Sequence, residues 1–131
     1  MGAMDILSSR VLLRPADLAR SLRFYAETLD LPVYREFGSG VHHGVVFFLG
    51  GGFLEVSGSA GPQANDKLQL WLQVRDVDEV HHELRAAGVE IVEPPIDKPW
   101  GLREMRAADP DGVRLVFVEV PEDHPLRRDP R

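Results

Sequence analysis

Apolar positions along the chain switch between a period of about two residues and one of about 3.6, and the order of the switches occurs twice. Arg10, Val11, Leu12 and Leu13 read as a short strand, which Pro15 ends near Arg14 because proline cannot donate to a ladder. Leu18, Leu22, Tyr25 and Leu29 then follow the i, i+4, i+7, i+11 spacing of one helix face. Asp17 stands at the N-cap position, where a carboxylate meets the positive end of the helix. Leu31-Pro32 closes that helix and leads into an extended run over 33–37. Gly38-Ser39-Gly40 signals a turn, 45–49 is β-rich, Gly50-Gly51-Gly52 connects tightly, and 53–56 returns as a strand. The first half therefore predicts β, α, β, β, β.

The second half repeats the order. Residues 68–74 predict a strand. A helix starts at Asp76 or Asp78, runs through Val80, Leu84 and Ala87, and stops at Gly88. Residues 89–92 predict a strand, 93–100 a proline-rich loop and 103–108 a further strand. Asp109-Pro110-Asp111-Gly112 is a strong turn signal ahead of a last strand over 113–120. The segment Leu13-Arg14-Pro15-Ala16-Asp17-Leu18 lies over Leu72-Gln73-Val74-Arg75-Asp76-Val77 at a shift of about 60 residues, which indicates a duplicated module rather than a solenoid. The chain divides on this reading into an N-terminal segment 1–8, a first module 9–57, a linker 58–67, a second module 68–120 and a charged tail 121–131. Met1-Gly2-Ala3 ahead of Met4 reads as a cloning remnant. A module of this size buries little surface alone, so two modules, and often two chains, are expected to pack together.

Alternation assigns faces to the strands. Leu70, Leu72 and Val74 share an aliphatic face suited to lie under the helix, which leaves Gln69, Trp71 and Gln73 on the other. Two amides flanking an aromatic plane suit a cleft wall better than a core. The matching positions in the first half are Arg10, Leu12 and Arg14, joined by Phe53, Glu55 and Ser57 near its end. In the last strand, Val116 falls on the cleft side with Arg114 and Val118. Such a surface suits a planar, partly polar ligand.

Composition narrows the classes. With 131 residues, 44% of them hydrophobic and 27% charged, the chain fits one compact soluble domain. A net charge of −6 without a clustered basic run argues against a nucleic-acid partner. Its apolar runs are too short to span a bilayer, and no signal-peptide pattern opens it, so a cytoplasmic protein without a membrane partner is expected. The absence of cysteine excludes disulfides, thiolate chemistry and cysteine–metal sites. Among the histidines, His42-His43 precede a strand, while His81 and His82 sit about 100° apart on a helix and do not chelate together. Glu55 is the best candidate for a catalytic residue, as a general base if burial raises its pKa. Trp100 can stack on a ligand, and Arg103 can meet an anionic group.

The motifs Leu13-x-x-x-Asp17-Leu18-x-x-Ser21-x-x-Phe24-Tyr25 and Leu29-x-Leu31 resemble the opening module of the vicinal-oxygen-chelate (glyoxalase/bleomycin resistance protein/dioxygenase) superfamily. Val74-x-Asp76-Val77-Asp78 with Leu84-x-x-x-Gly88-Val89 resembles its second module, and Asp109-Pro110-Asp111-Gly112 its closing turn. Pro99-Trp100-Gly101-x-Arg103 resembles a loop of its bleomycin-resistance-like members. The resemblance implies an α+β fold of two tandem βαβββ modules, forming a curved mixed sheet around a cleft with helices on the outer face. It also implies four metal-ligand positions, which fall here on Arg10, Glu55, Gln69 and Val116. Arg10 and Val116 have no lone pair to give, so no metal site and no cofactor is expected. Arg10 then stands where the ion's charge would be, as a bidentate partner for Glu55. The resemblance thus implies a homodimer that binds a small molecule, an antibiotic or a metabolite, through Arg10, Leu12, Glu55, Gln69, Trp71, Gln73, Trp100, Arg103 and Val116. The alternative is a metal-dependent lyase, isomerase or dioxygenase with a divalent ion held by Glu55, Gln69 and His42 or His43.

Overall fold

In the computed structural model, residues 7, 8, 10–58 and 68–125 are described. Most of the expected linker and the end of the tail lie outside them. The chain forms two compact units, residues 1–63 and 64–131. Each is a four-stranded mixed sheet with its own helix, in the order β, α, β, β, β.

In the first unit, β1 (Val11–Leu13) runs parallel to β4 (Gly52–Ser57), and β3 (Gly44–Leu49) and β2 (Val33–Phe37) follow antiparallel, giving the order β1-β4-β3-β2. A parallel pair cannot be joined by a hairpin, so α1 (Leu18–Arg23) carries the chain away from β1. The Asp17 side chain caps α1 by accepting from the Arg20 amide at 3.0 Å. The predicted face is displaced. From Phe24 to Thr28 the helix widens into a π turn, closed by the Leu29 amide on the Phe24 carbonyl at 2.9 Å. Phe24 and Tyr25, the first two residues of that turn, are both buried, so the buried face includes Phe24 beside the predicted Tyr25. Tyr25, Phe47, Leu54 and Val56 are fully buried and form the core on this side of the sheet.

The second unit repeats this with β5 (Gln69–Val74), α2 (Val77–Ala86), β6 (Glu90–Asp97), β7 (Arg103–Ala108) and β8 (Arg114–Glu119), in the order β5-β8-β7-β6. Asp76, the first of the two expected starts, caps α2 through the amides of Asp78 and Glu79, both at 3.1 Å. Gly88 ends it at φ 79°, in the left-handed region that glycine reaches without strain. The closing turn is held by Asp109, whose Oδ1 accepts from the Asp111 and Val113 amides. One expectation is corrected. The proline-rich run expected as a loop over 93–100 is strand as far as Asp97. Proline survives there because β6 is the edge strand, and its pairing with β7 slips at Ile91/Glu93 and again at Glu93/Ile96. Only residues 98–102 form the connection, closed by the Lys98 amide on the Leu102 carbonyl at 2.8 Å.

Removing the α2 cap by Asp76→Ala leaves two amides of the first turn unsatisfied. The substitution should lower stability by about 1 kcal/mol in a urea titration, with the slope of the transition unchanged.

Candidate functional site

One helix covers one face of each sheet, and strand register shows what the other face carries. In the first unit, Leu12, Glu55, Val46 and Arg35 pair in a single row across the helix-free face. One row along, Phe48 pairs with Phe53. A bulge between Val33 and Arg35 swings Tyr34 against both rings, with centroids 5.2 and 4.8 Å away. In the opposite direction Gly44 lies between Ser57 and Phe37, and Arg35 sits over the Phe37 ring at 5.6 Å. A Cβ at Gly44 would lie 2.7 Å from the Ser57 Cβ, so only glycine lets these neighbours close in.

Glu55 is the hub of this face. Its Oε1 accepts from Arg10 Nη1 at 3.0 Å, and its Oε2 from Ser57 Oγ at 2.7 Å and Arg14 Nη1 at 3.3 Å. Arg14 Nη1 also donates to Ser57 Oγ at 2.6 Å. The expected Arg10–Glu55 link is formed, but through one nitrogen, because Arg14 holds the second oxygen; the bidentate staple is corrected to a shared carboxylate. The Ser57 hydroxyl above all, and then both guanidiniums, hold the Glu55 pKa below its ordinary value against the opposing effect of burial. The condition attached to Glu55 as a general base, a raised pKa, is therefore reversed. A carboxylate with a lowered pKa and both oxygens engaged is a weak base.

In the second unit the helix-free face carries Trp71, Val116, Arg106 and Glu93 in one row, and Gln73, Val118, Glu104 and Ile96 in the next. Trp71 is 50% exposed although it sits inside a strand whose other face holds buried Leu70. Gln69 beside it is exposed and Gln73 half-buried. Trp100 is 56% exposed, and its position is fixed twice. Its Nε1 donates to Oε2 of buried Glu104 at 2.6 Å, and the Lys98 ammonium lies 5.9 Å from its ring centre. Lys98 and Arg106 both donate to Glu93 Oε1, at 2.7 and 3.2 Å.

Two expected ligand contacts are placed otherwise. Val116 is on the anticipated face but packed away with Leu102, Val118 and Val120, because residue 102 of the connecting loop turns onto the sheet. Arg103 pairs with Glu119 and so belongs to the helix side. There its Nε and Nη2 hold both oxygens of Asp78, at 3.0 and 2.9 Å, and its Nη1 reaches Asp97 at 3.1 Å. A guanidinium neutralised by two carboxylates is not poised for an anionic ligand. Asp76, Asp78 and Glu119 come within 4.8 Å of one another, yet each already serves α2: Asp76 as cap, Asp78 to Arg103, and Glu119 by accepting from the Val77 amide at 2.9 Å. His42 lies in a 3₁₀ turn, and His81 and His82 lie on α2.

The sequence pattern did not reveal the Tyr34–Phe48–Phe53 cluster. Phe48 could have been found by extending alternation through β3, which puts it on the side of Val46. Tyr34 could not, since the bulge that turns it inward has no glycine or proline to mark it.

The shared carboxylate gives two expected outcomes. Arg10→Ala alone should cost less than about 1 kcal/mol, because Arg14 and Ser57 still satisfy Glu55 and the pair is partly exposed. The Arg10→Ala/Arg14→Ala double variant should exceed the sum of the singles by about 0.5 kcal/mol or more in denaturant titrations, as both partners of one group are lost. A depressed carboxylate contributes stability that is complete above its ordinary pKa of 4.5 and fades as pH falls through the lower folded value. The stability gap between the native chain and Glu55→Gln should therefore narrow steadily below pH 4.5. A gap that stays constant down to about pH 2.5 would contradict the network.

The family model of the Glyoxalase/Bleomycin resistance protein/Dioxygenase superfamily matches residues 8–117. No curated protein matches the chain. Among solved structures, the chain is similar to TioX from Micromonospora sp. ML1, with 26% identity over 87% of this chain and 98% of that one and a TM-score of 0.72. It is also similar to a protein of unknown function from Agrobacterium tumefaciens str. C58, at 25% identity, 92% and 98% coverage and a TM-score of 0.71. A glyoxalase/bleomycin resistance protein/dioxygenase from Nocardioides shares the fold at 18% identity, 98% and 92% coverage and a TM-score of 0.74. With the family match running from the first strand into the last, across both βαβββ units, this chain belongs to the Glyoxalase/Bleomycin resistance protein/Dioxygenase superfamily.

Proposed function

We propose that this protein captures a small, partly aromatic molecule on its helix-free sheet faces without a metal ion, as a sequestering protein for an antibiotic or metabolite. The observation that carries this reading is Trp71, an indole left half-exposed in mid-strand, with a glutamine on either side of it along the same face. Large apolar surface kept open beside amide donors and acceptors suits a flat ligand with polar edges. Trp100 adds a second aromatic face, held in place by Glu104 rather than free to turn. Leu12 and Arg10 give the first unit an exposed apolar and a charged contact. The mechanism is stoichiometric: stacking on indole, hydrogen bonds from Gln69 and Gln73, and exclusion of water. A homodimer belongs to the proposal.

The residues at the family's metal positions do not fit a first-row divalent ion. Arg10 and Val116 have no lone pair, and both oxygens of Glu55 already accept from guanidiniums. Binding an ion there would require breaking two ion pairs to gain one carboxylate and one amide. No reaction step is assigned to these residues.

Trp71 and Trp100 are the only tryptophans in the sequence, so intrinsic fluorescence reports directly on the second unit. A screen of aromatic compounds should find saturable quenching at about one ligand per chain that persists after EDTA treatment. Trp71→Leu should weaken that ligand at least about tenfold with little change in melting temperature, since the side chain is half-exposed. Ni²⁺, Mn²⁺, Fe²⁺ and Zn²⁺ should leave the melting temperature unchanged. A rise at about one ion per chain, abolished by Glu55→Ala, would overturn the metal-free reading.

A further inference from the structure

Charge on the helix-free face of the first unit is unbalanced, and in the direction opposite to the chain as a whole. The protein carries a net charge of −6, yet among the described residues this face holds three guanidiniums, Arg10, Arg14 and Arg35, against the single carboxylate of Glu55. Glu36, next along β2, pairs with Val45 and so points to the helix side. One carboxylate cannot neutralise three cations. It also leaves most of their hydrogen-bond donors unused. Each guanidinium has five N–H groups, and Arg10 and Arg14 each reach Glu55 through one nitrogen. Their side chains remain 37% and 46% exposed. Among the described residues Arg35 has no carboxylate partner. Its guanidinium rests over Phe37, which holds the head in place while its edge donors stay available.

The neighbouring row is apolar. Tyr34, Phe48 and Phe53 form a triangle of rings 4.8 to 5.7 Å apart, with Tyr34 and Phe48 both exposed. Adjacent same-face rows of a sheet are separated by about 7 Å. An aromatic acid has that dimension: a ring system at one end and a carboxylate one ring width away. The second unit offers no such bias. Its helix-free face sets Glu90, Glu93 and Glu104 against Arg106 and Arg114, with Lys98 on Glu93, so acids and bases are matched there.

We infer that the helix-free face of the first unit takes an organic anion with an aromatic body, its carboxylate met by Arg35 and the spare donors of Arg10 and Arg14 and its ring laid against Tyr34, Phe48 and Phe53. The inference rests on the proposed capture function and names the ligand class for this face. Glu55 has a defined part in it: it holds Arg10 and Arg14 in place and lowers their joint charge, so that the anion is attracted without being trapped by three uncompensated cations.

Isothermal titration of the full chain with 2-naphthoate, 2-naphthamide and 2-naphthylmethylammonium tests this, because the three share a ring and differ in charge. 2-Naphthoate should bind at least about tenfold more tightly than the amide, and the ammonium compound least well. That preference should shrink between low and high salt, as the cations are partly exposed. Arg35→Gln should weaken 2-naphthoate at least about threefold more than it weakens the amide, with the melting temperature unchanged. Arg35→Lys should restore most of the loss, which a merely structural role for Arg35 would not do. Equal binding of all three compounds, or an Arg35→Gln variant with native 2-naphthoate affinity, overturns the anion inference and leaves the capture reading standing. Failure of all three, while a Trp71-dependent ligand emerges from the fluorescence screen, does the same. Failure of all three with no ligand from that screen overturns both.

Discussion

A four-stranded sheet has two faces, and among the described residues each unit of this protein has one α-helix. Everything else in the molecule depends on that shortage. The helix takes the face on which aliphatic residues alternate, and there the burial is complete: Leu54, Val56 and Phe47 in the first unit, Met105 and Leu115 in the second. Hydrophobic burial rewards this face fully, so its residues are chosen by packing. The opposite face has no helix to hide under. Its strands are paired with the same regularity, and beside the buried Val46, Val116 and Val118 its side chains are guanidiniums, amides, carboxylates and half-exposed rings. Those polar and half-exposed side chains are less constrained by packing than the residues under the helix.

Freedom from packing does not remove the cost of charge. A carboxylate covered by neighbours must be satisfied or it destabilises the fold. Both such groups on the helix-free faces are satisfied locally, and in different ways. Glu104 is buried, and the Trp100 indole N–H donates to it, which places a large aromatic ring at a fixed point above the sheet. Glu55 collects Arg10, Arg14 and Ser57, which places two guanidiniums at fixed points instead. In each unit one acid thus orders an exposed group on the helix-free face. The helix side uses the same device for structure alone, where Asp78 and Asp97 hold Arg103 and Glu119 holds the start of α2.

The order of elements and the assignment of faces were legible in the sequence because both depend on local rules. Alternation in Leu70, Leu72 and Val74 against Gln69, Trp71 and Gln73 needs no knowledge of neighbouring strands, and Asp17 and Asp76 announce their helices by position. What was not legible depends on register and on irregularity. Arg103 looked like a free cation because its strand neighbours, and hence its face, are set by pairing with Glu119. Val116 was read correctly as to face, yet nothing local says that Leu102 will fold onto it. The π turn at Phe24 and the bulge at Tyr34 each insert one residue. One extra residue reverses or rotates every face assignment beyond it, until the next break.

The pairing of Arg10 with Glu55 carries a further consequence for specificity. A divalent ion and a guanidinium both attract oxygen anions, but they ask for different geometry. An ion accepts lone pairs from any direction its coordination shell leaves open, and it polarises the atom it holds. A guanidinium offers N–H donors in one plane, matches a carboxylate edge to edge and polarises weakly. Placing arginine at a family metal position therefore keeps the affinity for oxygen while giving up the activation. A carboxylate hydrogen bonded edge to edge with a guanidinium is bound in its most stable form, with no bond weakened. Such a replacement keeps a hydrogen-bonding cation beside Glu55 and leaves the carboxylate without a free oxygen for an ion, which is the physical ground of the proposed metal-free capture.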